Sequence, residues 1–274
     1  MRMLVSVRDT TEALRAADAG AHFIDLKEPR AGALGGLEPA QIGDIVALLR
    51  HRHPGLSISA TIGDLPVHDL DAILERVEAV GRCGVDLVKV GVSGQGEASA
   101  CDLLGRLGAT EWQIVPVLLA DSGIATRVIA AACVQPFPAL MLDTQGKTAG
   151  SLFEVMPLKD VAEVVRLART AGKRIGLAGA LREADLPKLH AVQPDFAGFR
   201  SAVCEGARTG ELVGERVRVL RRALAQAGAE AVTSAVEATA WRDPGASGSL
   251  RSGVPAQAQE RSDLAGAGAA YFVD

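Results

Sequence analysis

Aromatic residues and net positive charge are both scarce in this chain of 274 residues, and each shortage excludes a class of partner. Aromatic residues make up only 3% of the sequence, and the formal net charge at pH 7 is -4. The chain therefore offers few stacking platforms for single-stranded nucleic acid and no general attraction to a phosphate backbone. We expect no nucleic-acid partner.

Closely spaced cysteines and long apolar runs are also missing. The four cysteines lie far apart and form no CxxC pair, which predicts neither a metal site nor a redox dithiol. No run approaches the roughly 18 apolar residues that a membrane-spanning helix needs. The N-terminal apolar stretch is too short for a secretory signal. We expect a reduced, cytoplasmic protein without a membrane partner.

Eight short β-branched runs alternate with longer amphipathic segments. In the longer segments apolar residues recur at three- and four-residue spacing, as at Ile42, Ile45 and Leu49, which is typical of helices. Eight strand-then-helix units in about 230 residues predict an α/β fold, a single (β/α)8 TIM barrel over residues 1–232. A doubly wound sheet is the alternative, but no GxGxxG follows the first run. The strand-like runs are Met3–Val7, Phe23–Lys27, Ser57–Ile62, Leu87–Val92, Gln113–Leu119, Leu140–Asp143, Arg174–Leu177 and Phe196–Arg200.

The composition changes after residue 232. Residues 233–274 consist mainly of Ala, Gly, Ser and Pro, and their apolar residues are scattered without a period. Such a segment cannot bury enough surface to offset the entropy of ordering it. The sequence predicts a low-complexity, disordered C-terminal tail over residues 233–274.

Lysine is scarce, and its placement is uneven. Only six of the 29 lysine and arginine residues are lysines, so arginine carries the routine surface charge. Lys27 ends the second predicted strand, Lys89 lies in the fourth, and Lys147 follows the sixth. Alternation along the strands turns Asp25, Lys27, Lys89 and Asp143 toward the inside of the barrel. Because barrel enzymes place their chemistry at the carboxyl ends of the strands, we expect all five side chains to converge there as catalytic residues.

A cluster of amines and carboxylates at a barrel mouth favours carbonyl chemistry. Neighbouring ammonium groups and partial desolvation both disfavour the charged form, so we expect at least one amine to be partly neutral near pH 7. A neutral amine can form a Schiff base with an aldehyde or ketone, and the other groups can then move protons. The alternative interpretation is a salt-bridge network that closes the barrel, although stability alone is a weak reason to bury one.

Small residues follow the seventh and eighth predicted strands, where barrels commonly bind phosphate. Glycine allows close backbone approach there, free N–H groups can ring an anion, and arginines add charge-assisted bonds. Two further loops, KEPRAGALGG and SATIGDLP, follow the second and third strands and could contact a ligand. Ordinary short turns are the alternative interpretation. The predicted phosphate-binding residues are Gly179, Ala180, Arg200, Ser201, Ala202 and Arg208, with Thr61 and Arg30 from the two loops.

Six separated strings support a resemblance to a known family: FIDLKEPRAGALGG, SATIGDLP, VDLVKVGV, MLDTQGKTAGSLF, GLAGALREADLP and FAGFRSAVC. In this order and over about residues 1–225 they closely resemble the (5-formylfuran-3-yl)methyl phosphate synthases. The resemblance implies a (β/α)8 barrel that makes the furan precursor of methanofuran-type C1 carriers. It further implies that the substrate is a triose phosphate, D-glyceraldehyde 3-phosphate, of which two molecules combine with release of phosphate and water. It implies no metal or cofactor.

The same resemblance implies individual roles. Lys27 matches the Schiff-base lysine with Asp25 beside it, Lys89 matches the proton acceptor, and Asp143 and Lys147 match a further pair. The family has glycine where this chain has Ser201, and it ends soon after the last barrel helix, so the tail is an addition. Two other functions stay open: another class I (Schiff-base) phospho-aldolase, and a catalytically silent barrel that binds phosphosugars. The sequence also leaves open whether the chain forms a homo-oligomer.

Overall fold

Eight parallel strands close into a barrel in the computed structural model, which describes residues 1–94, 96–146 and 150–225. Each strand pairs with the next along the chain, and β8 returns to β1. The strands are β1 (Arg2–Val7), β2 (Phe23–Leu26), β3 (Ser57–Thr61), β4 (Leu87–Ser93), β5 (Ile114–Leu119), β6 (Ala139–Asp143), β7 (Arg174–Leu177) and β8 (Phe196–Phe199). The predicted (β/α)8 barrel is confirmed.

Helices follow the strands and surround the barrel. They are α1 (Thr10–Asp18), α2 (Pro39–Arg52), α3 (Leu70–Gly81), α4 (Glu97–Gly108), α5 (Thr126–Val134), α6 (Leu152–Val155), α7 (Leu158–Thr170), α8 (Leu186–Val192) and α9 (214–225). Of these, α6 is a single turn that the sequence pattern did not predict. It is held by a capping box between Ser151 and Glu154, a local device that carries no hydrophobic period.

Seven strand boundaries differ from the prediction by one residue, and in three cases the predicted strand is too long at its carboxyl end. Lys27, Ile62 and Arg200 were predicted as the last strand residues, but each lies just beyond its strand. The main chain of Lys27 still donates a hydrogen bond to the carbonyl of Val7 at 3.0 Å, so its position at the strand end is unchanged. The predicted tail over residues 233–274 lies outside the described residues.

The main apolar core lies between the barrel and the helices. Outward-facing strand residues such as Ile24 and Leu26 share this core with Ile42, Ile45 and Leu49 of α2, and all five are fully buried. The alternation predicted for β2 is therefore observed. No helix in the described ranges is long and apolar enough to cross a membrane.

The inside of the barrel changes character along its axis. Near the amino ends of the strands, the rings of Phe23 and Phe196 pack edge to face with centroids 5.7 Å apart. Further toward the carboxyl ends, polar residues of neighbouring strands stand in register, with Ser6 beside Asp25 and Asp25 beside Ser59. Apolar side chains therefore fill the barrel near the amino ends of the strands, and polar side chains face its interior nearer the carboxyl ends, where the loops carry the site.

The outer core supplies a test of the fold. Leu49→Ala removes a fully buried side chain of α2, and we expect the free energy of unfolding to fall by about 2–5 kcal/mol. Leu158→Ala is the matched control, because Leu158 is 39% exposed, and it should cost less than about 1 kcal/mol. Urea unfolding of the two variants measures the difference. Equal losses of unfolding free energy in the two variants would contradict the placement of α2 against the barrel.

Candidate active site

A buried ion pair occupies the inside of the barrel. The Lys89 Nζ lies 3.0 Å from Asp25 Oδ1, and the two side chains are 2% and 0% exposed. The Ser59 hydroxyl donates to the same carboxylate oxygen at 2.7 Å, and the Ser6 hydroxyl donates to Oδ2 at 3.1 Å. A buried anion is stable only when such donors replace water. Three donors therefore hold the Asp25 carboxylate and, through it, the position of Lys89.

Two more predicted catalytic residues reach the same place from other strands. Lys27 follows β2 and Asp143 ends β6; both are buried, and both line a cavity at the carboxyl ends of the strands together with Lys89. Asp143 Oδ1 accepts a hydrogen bond from the main chain of Thr144 at 2.7 Å. The structure thus brings together four of the five predicted catalytic residues. The fifth, Lys147, lies outside the described residues.

The loop after β7 lines the cavity with its backbone. Gly179 has a φ of +104°, and a Cβ on it would lie 2.9 Å from a side-chain atom of Thr144, so only glycine fits without strain. Ala180 follows with a φ of 46°, also in the left-handed region. These two residues and Ser201, which begins the turn after β8, line the cavity. Ala202 follows Ser201 outside that lining.

The turns after β7 and β8 also contribute main-chain N–H groups, three of them from residues that line the cavity. Among the described residues, no main-chain acceptor pairs with the N–H groups of Gly179, Ala180, Ser201 or Ala202. Main-chain N–H groups that converge without protein acceptors are suited to binding a phosphate. The prediction that these turns hold an anion remains a prediction, and the geometry is compatible with it.

The two predicted phosphate-binding arginines both line the cavity but differ in their contacts. Arg208 is half-buried in the cavity lining and donates to the carbonyl of Gly32 at 3.0 Å. Burial lowers the pKa of its guanidinium from the ordinary value, while the nearby Asp143 carboxylate acts in the opposite direction. Arg200 is buried, and all five of its N–H donors are already engaged, by Glu12 and by backbone carbonyls. Arg208 is therefore the better placed of the two to meet a phosphate.

The two predicted residues from the other loops stand apart from the cavity. Thr61 is fully buried, and its hydroxyl donates to the carbonyl of Gly35 at 3.0 Å, so it holds the β2–α2 loop in place. Arg30 is exposed on that loop. Neither side chain lines the cavity that contains Lys27 and Lys89. The loop itself folds over the mouth, where Leu34 contacts the backbone at Gly91.

A second cavity of about 400 Å³ opens beside the first at the same end of the barrel. The two cavities take residues from the same strands: Lys89 lines the first and Gly91 the second on β4, and β6 and its loop contribute Asp143 and Gln145. The β3–α3 loop forms the outer wall from Gly63 to His68. The first cavity measures only about 30 Å³, so the second supplies most of the room for a ligand at the mouth.

Sequence reasoning missed Ser6, Ser59 and Glu12. A signal for the two serines was present, since each is a polar residue at an inward position of a strand whose outward positions are apolar. Glu12 carried no such signal, because an acidic residue in the first turn of a helix is common. Within the described ranges, no group of three or more His, Cys, Asp or Glu side chains is arranged to hold a metal ion.

Comparison with known proteins connects this geometry to a family. Residues 3–221 match the family model described as 4-HFC-P synthase. The chain belongs to the 4-HFC-P synthase family. It is an enzyme, and the activity of this family is that of a (5-formylfuran-3-yl)methyl phosphate synthase.

Curated relatives agree with the family match over most of their length. A protein of that name from Methanosarcina mazei is 32% identical over 232 residues, which cover 80% of this chain and 97% of the relative. The Methanopyrus kandleri protein of the same name is 32% identical over 246 residues, covering 82% of this chain and 99% of the relative. Among solved structures, a phosphoribosyl anthranilate isomerase from Thermus thermophilus is 19% identical with a TM-score of 0.57. It matches 82% of this chain and 99% of its own, and it shows the barrel fold alone.

The buried pair generates a stability prediction. Lys89→Met leaves the Asp25 carboxylate buried without its ammonium partner, and we expect the free energy of unfolding to fall by about 3–5 kcal/mol. The double variant Asp25→Asn/Lys89→Met removes both charges and should recover much of that loss. Urea unfolding at pH 7 measures both. If the double variant were no more stable than Lys89→Met, the unpaired charge would not be the cause of the lost stability.

Proposed function

We propose that this barrel mouth joins two triose phosphates through a Schiff base on Lys27. The observation that carries the proposal is one cavity lined by Lys27, Lys89 and Asp143 together with the Gly179 turn and Arg208. An amine site and an anion site in one cavity match a small phosphorylated aldehyde, because each end of such a molecule then has a partner. D-glyceraldehyde 3-phosphate is the substrate that the family's activity requires.

The ion pair of Lys89 and the position of Lys27 favour different roles. Lys89 is bound to Asp25 within the barrel at 3.0 Å, and this ion pair holds its amine as a proton carrier. Lys27 lies at the end of β2, at the level of the mouth, where a carbonyl can approach it. We therefore assign the covalent step to Lys27 and the proton transfers to Lys89, with Asp143 facing the same cavity. The iminium on Lys27 is the electron sink for carbon–carbon bond formation and elimination.

The phosphate of the bound triose is held by the turns after β7 and β8. The main chain at Gly179, Ala180 and Ser201 presents N–H groups there, and Arg208 adds a positive charge next to them. Ala202, next in the turn after β8, supplies a further N–H. Arg200 has its donors engaged, and Thr61 and Arg30 stand outside this cavity, so the proposal gives none of them a direct phosphate contact.

The second triose has room in the neighbouring cavity of about 400 Å³. Because this cavity shares β4 and β6 with the first, a molecule in it lies beside the carbonyl carbon bound to Lys27. Addition to that molecule, ring closure, loss of phosphate and water, and hydrolysis of the C=N bond that regenerates the Lys27 amine together give the free furan. The product supplies methanofuran-type C1 carriers, as the family's activity implies.

A cytoplasmic location belongs to the same proposal. All four cysteines are free thiols, as expected where the compartment is reducing. Burial raises the pKa of the Cys83, Cys133 and Cys204 thiols, which keeps them protonated and unreactive.

Trapping tests the covalent step. Borohydride added with glyceraldehyde 3-phosphate should reduce the iminium and add the mass of one triose unit to the peptide that contains Lys27. Lys27→Met should abolish both the adduct and turnover. The matched control is Lys159→Met, which removes an exposed lysine of α7 and should leave both unchanged. An adduct that persists in Lys27→Met, or none in the parent enzyme, would contradict the assignment.

Product analysis tests the overall reaction. Glyceraldehyde 3-phosphate alone, with a chelator present and no cofactor added, should give a furan that absorbs in the near ultraviolet together with inorganic phosphate. Mass spectrometry identifies the product and a colorimetric assay measures the phosphate. A simple aldol adduct without phosphate release would instead indicate another class I phospho-aldolase. Substrate binding without any product would indicate a silent phosphosugar-binding barrel.

A further inference from the structure

Three consecutive carbonyls are held by arginine side chains in the loop between β8 and α9. Arg200 donates to the carbonyl of Arg208 at 2.7 Å and to that of Gly210 at 2.9 Å. Arg8, which follows β1, donates to the carbonyl between them, that of Thr209, at 2.6 Å. The backbone of residues 208–210 is thus anchored from two different strands.

One carboxylate organises both arginines. Glu12 is 3% exposed, and Arg200 donates to both of its oxygens through two different nitrogens, one at 3.1 Å from Oε1 and the other to Oε2. The Arg8 guanidinium lies 3.4 Å from Glu12 Oε1, and its main-chain N–H donates to Oε2 at 3.1 Å. Arg8, Glu12 and Arg200 are called here the clamp.

The clamped segment carries Arg208 to the substrate cavity. At its base the segment is closed by a bridge between Cys204 and Leu212, and Glu205 N donates to the carbonyl of Glu211 at 2.9 Å. The carbonyl of Arg208 faces the clamp, while its side chain lines the cavity with Lys27 and Asp143. Fixing the carbonyls at 208 and 210 therefore restricts where the Arg208 guanidinium can go.

We infer that the clamp is a positioning device that preorganises Arg208 for the phosphate of the substrate. Arg200 then acts through Arg208 and makes no phosphate contact of its own. A half-buried arginine on an unclamped loop would lose side-chain and backbone freedom on every binding event, whereas the clamp orders it in advance. The inference rests on the proposed function in one respect, that the anion bound beside Arg208 is the phosphate of a triose phosphate.

A double-mutant cycle separates positioning from direct contact, with inorganic phosphate as the probe. Arg200→Lys keeps the charge but cannot hold Glu12 and three carbonyls together. Arg208→Gln removes the proposed contact. We expect each single variant to weaken phosphate binding, measured by titration calorimetry, on the order of tenfold. The double variant should be no weaker than Arg208→Gln alone, because a positioning residue has no effect once its target is gone.

Steady-state kinetics provide a second test. With glyceraldehyde 3-phosphate, Arg200→Lys should raise KM by about the same factor as it weakens phosphate binding and change kcat less. Glu12→Gln, which keeps shape but removes the charge from the clamp, should do the same, and it replaces Arg200→Lys if that variant fails to fold. The matched control is Arg50→Lys. Arg50 likewise bonds two carbonyls, of Leu56 and Gly84, and a carboxylate, but at the other end of the barrel, and its variant should leave KM and phosphate affinity unchanged.

Each outcome decides the inference. If the losses of phosphate affinity in the two single variants multiply in the double variant, Arg200 binds phosphate itself. If phosphate affinity is unchanged in Arg200→Lys and Glu12→Gln, the clamp is only structural. Either result overturns the positioning role. Because phosphate binding needs no turnover, a failure to form the furan would contradict the proposed function while leaving the cycle interpretable.

Discussion

The ion pair between Asp25 and Lys89 is the constraint on which the active site depends. Charges buried inside a barrel are tolerated only with partners that replace water, so the strands around the pair must supply donors as well as apolar side chains. Ser6 on β1 and Ser59 on β3 meet that need from the two strands that flank β2. The polar end of the barrel therefore holds an amine and a carboxylate in contact below the lysine to which the proposed function assigns the covalent step.

In the proposed function, phosphate recognition at the mouth relies largely on backbone N–H groups. The turns after β7 and β8 present N–H groups, and the carbonyls of the loop with Arg208 accept hydrogen bonds from the side chains of Arg200 and Arg8. Arg200 and Arg208, which are near neighbours in sequence, therefore have different contacts. Both line the cavity, but all the donors of Arg200 are engaged by Glu12 and by backbone carbonyls, two of which belong to the loop that carries Arg208.

Much of the site could be predicted because its side chains lie on strands. Alternation turns every second residue inward, so Asp25, Lys89 and Asp143 could be assigned to the barrel interior before any coordinates were known. Loops lack such a rule. Arg200 and Arg208 were indistinguishable as candidates, and Thr61 was placed near a ligand although its hydroxyl holds a neighbouring loop instead. The short helix α6 was missed for the same reason, since a capping box can form without a hydrophobic period.

The sequence by itself determined the eightfold repeat, the direction of the strand side chains and the strings that identify the family. All of these are local properties, set by the period of the backbone and by short stretches of residues. Only the tertiary structure decided what each charged group contacts. Glu12 and Arg200 are 188 residues apart, and closure of β8 against β1 brings them together. Whether an arginine meets a substrate or a backbone carbonyl depends on such distant neighbours, and no local pattern records them.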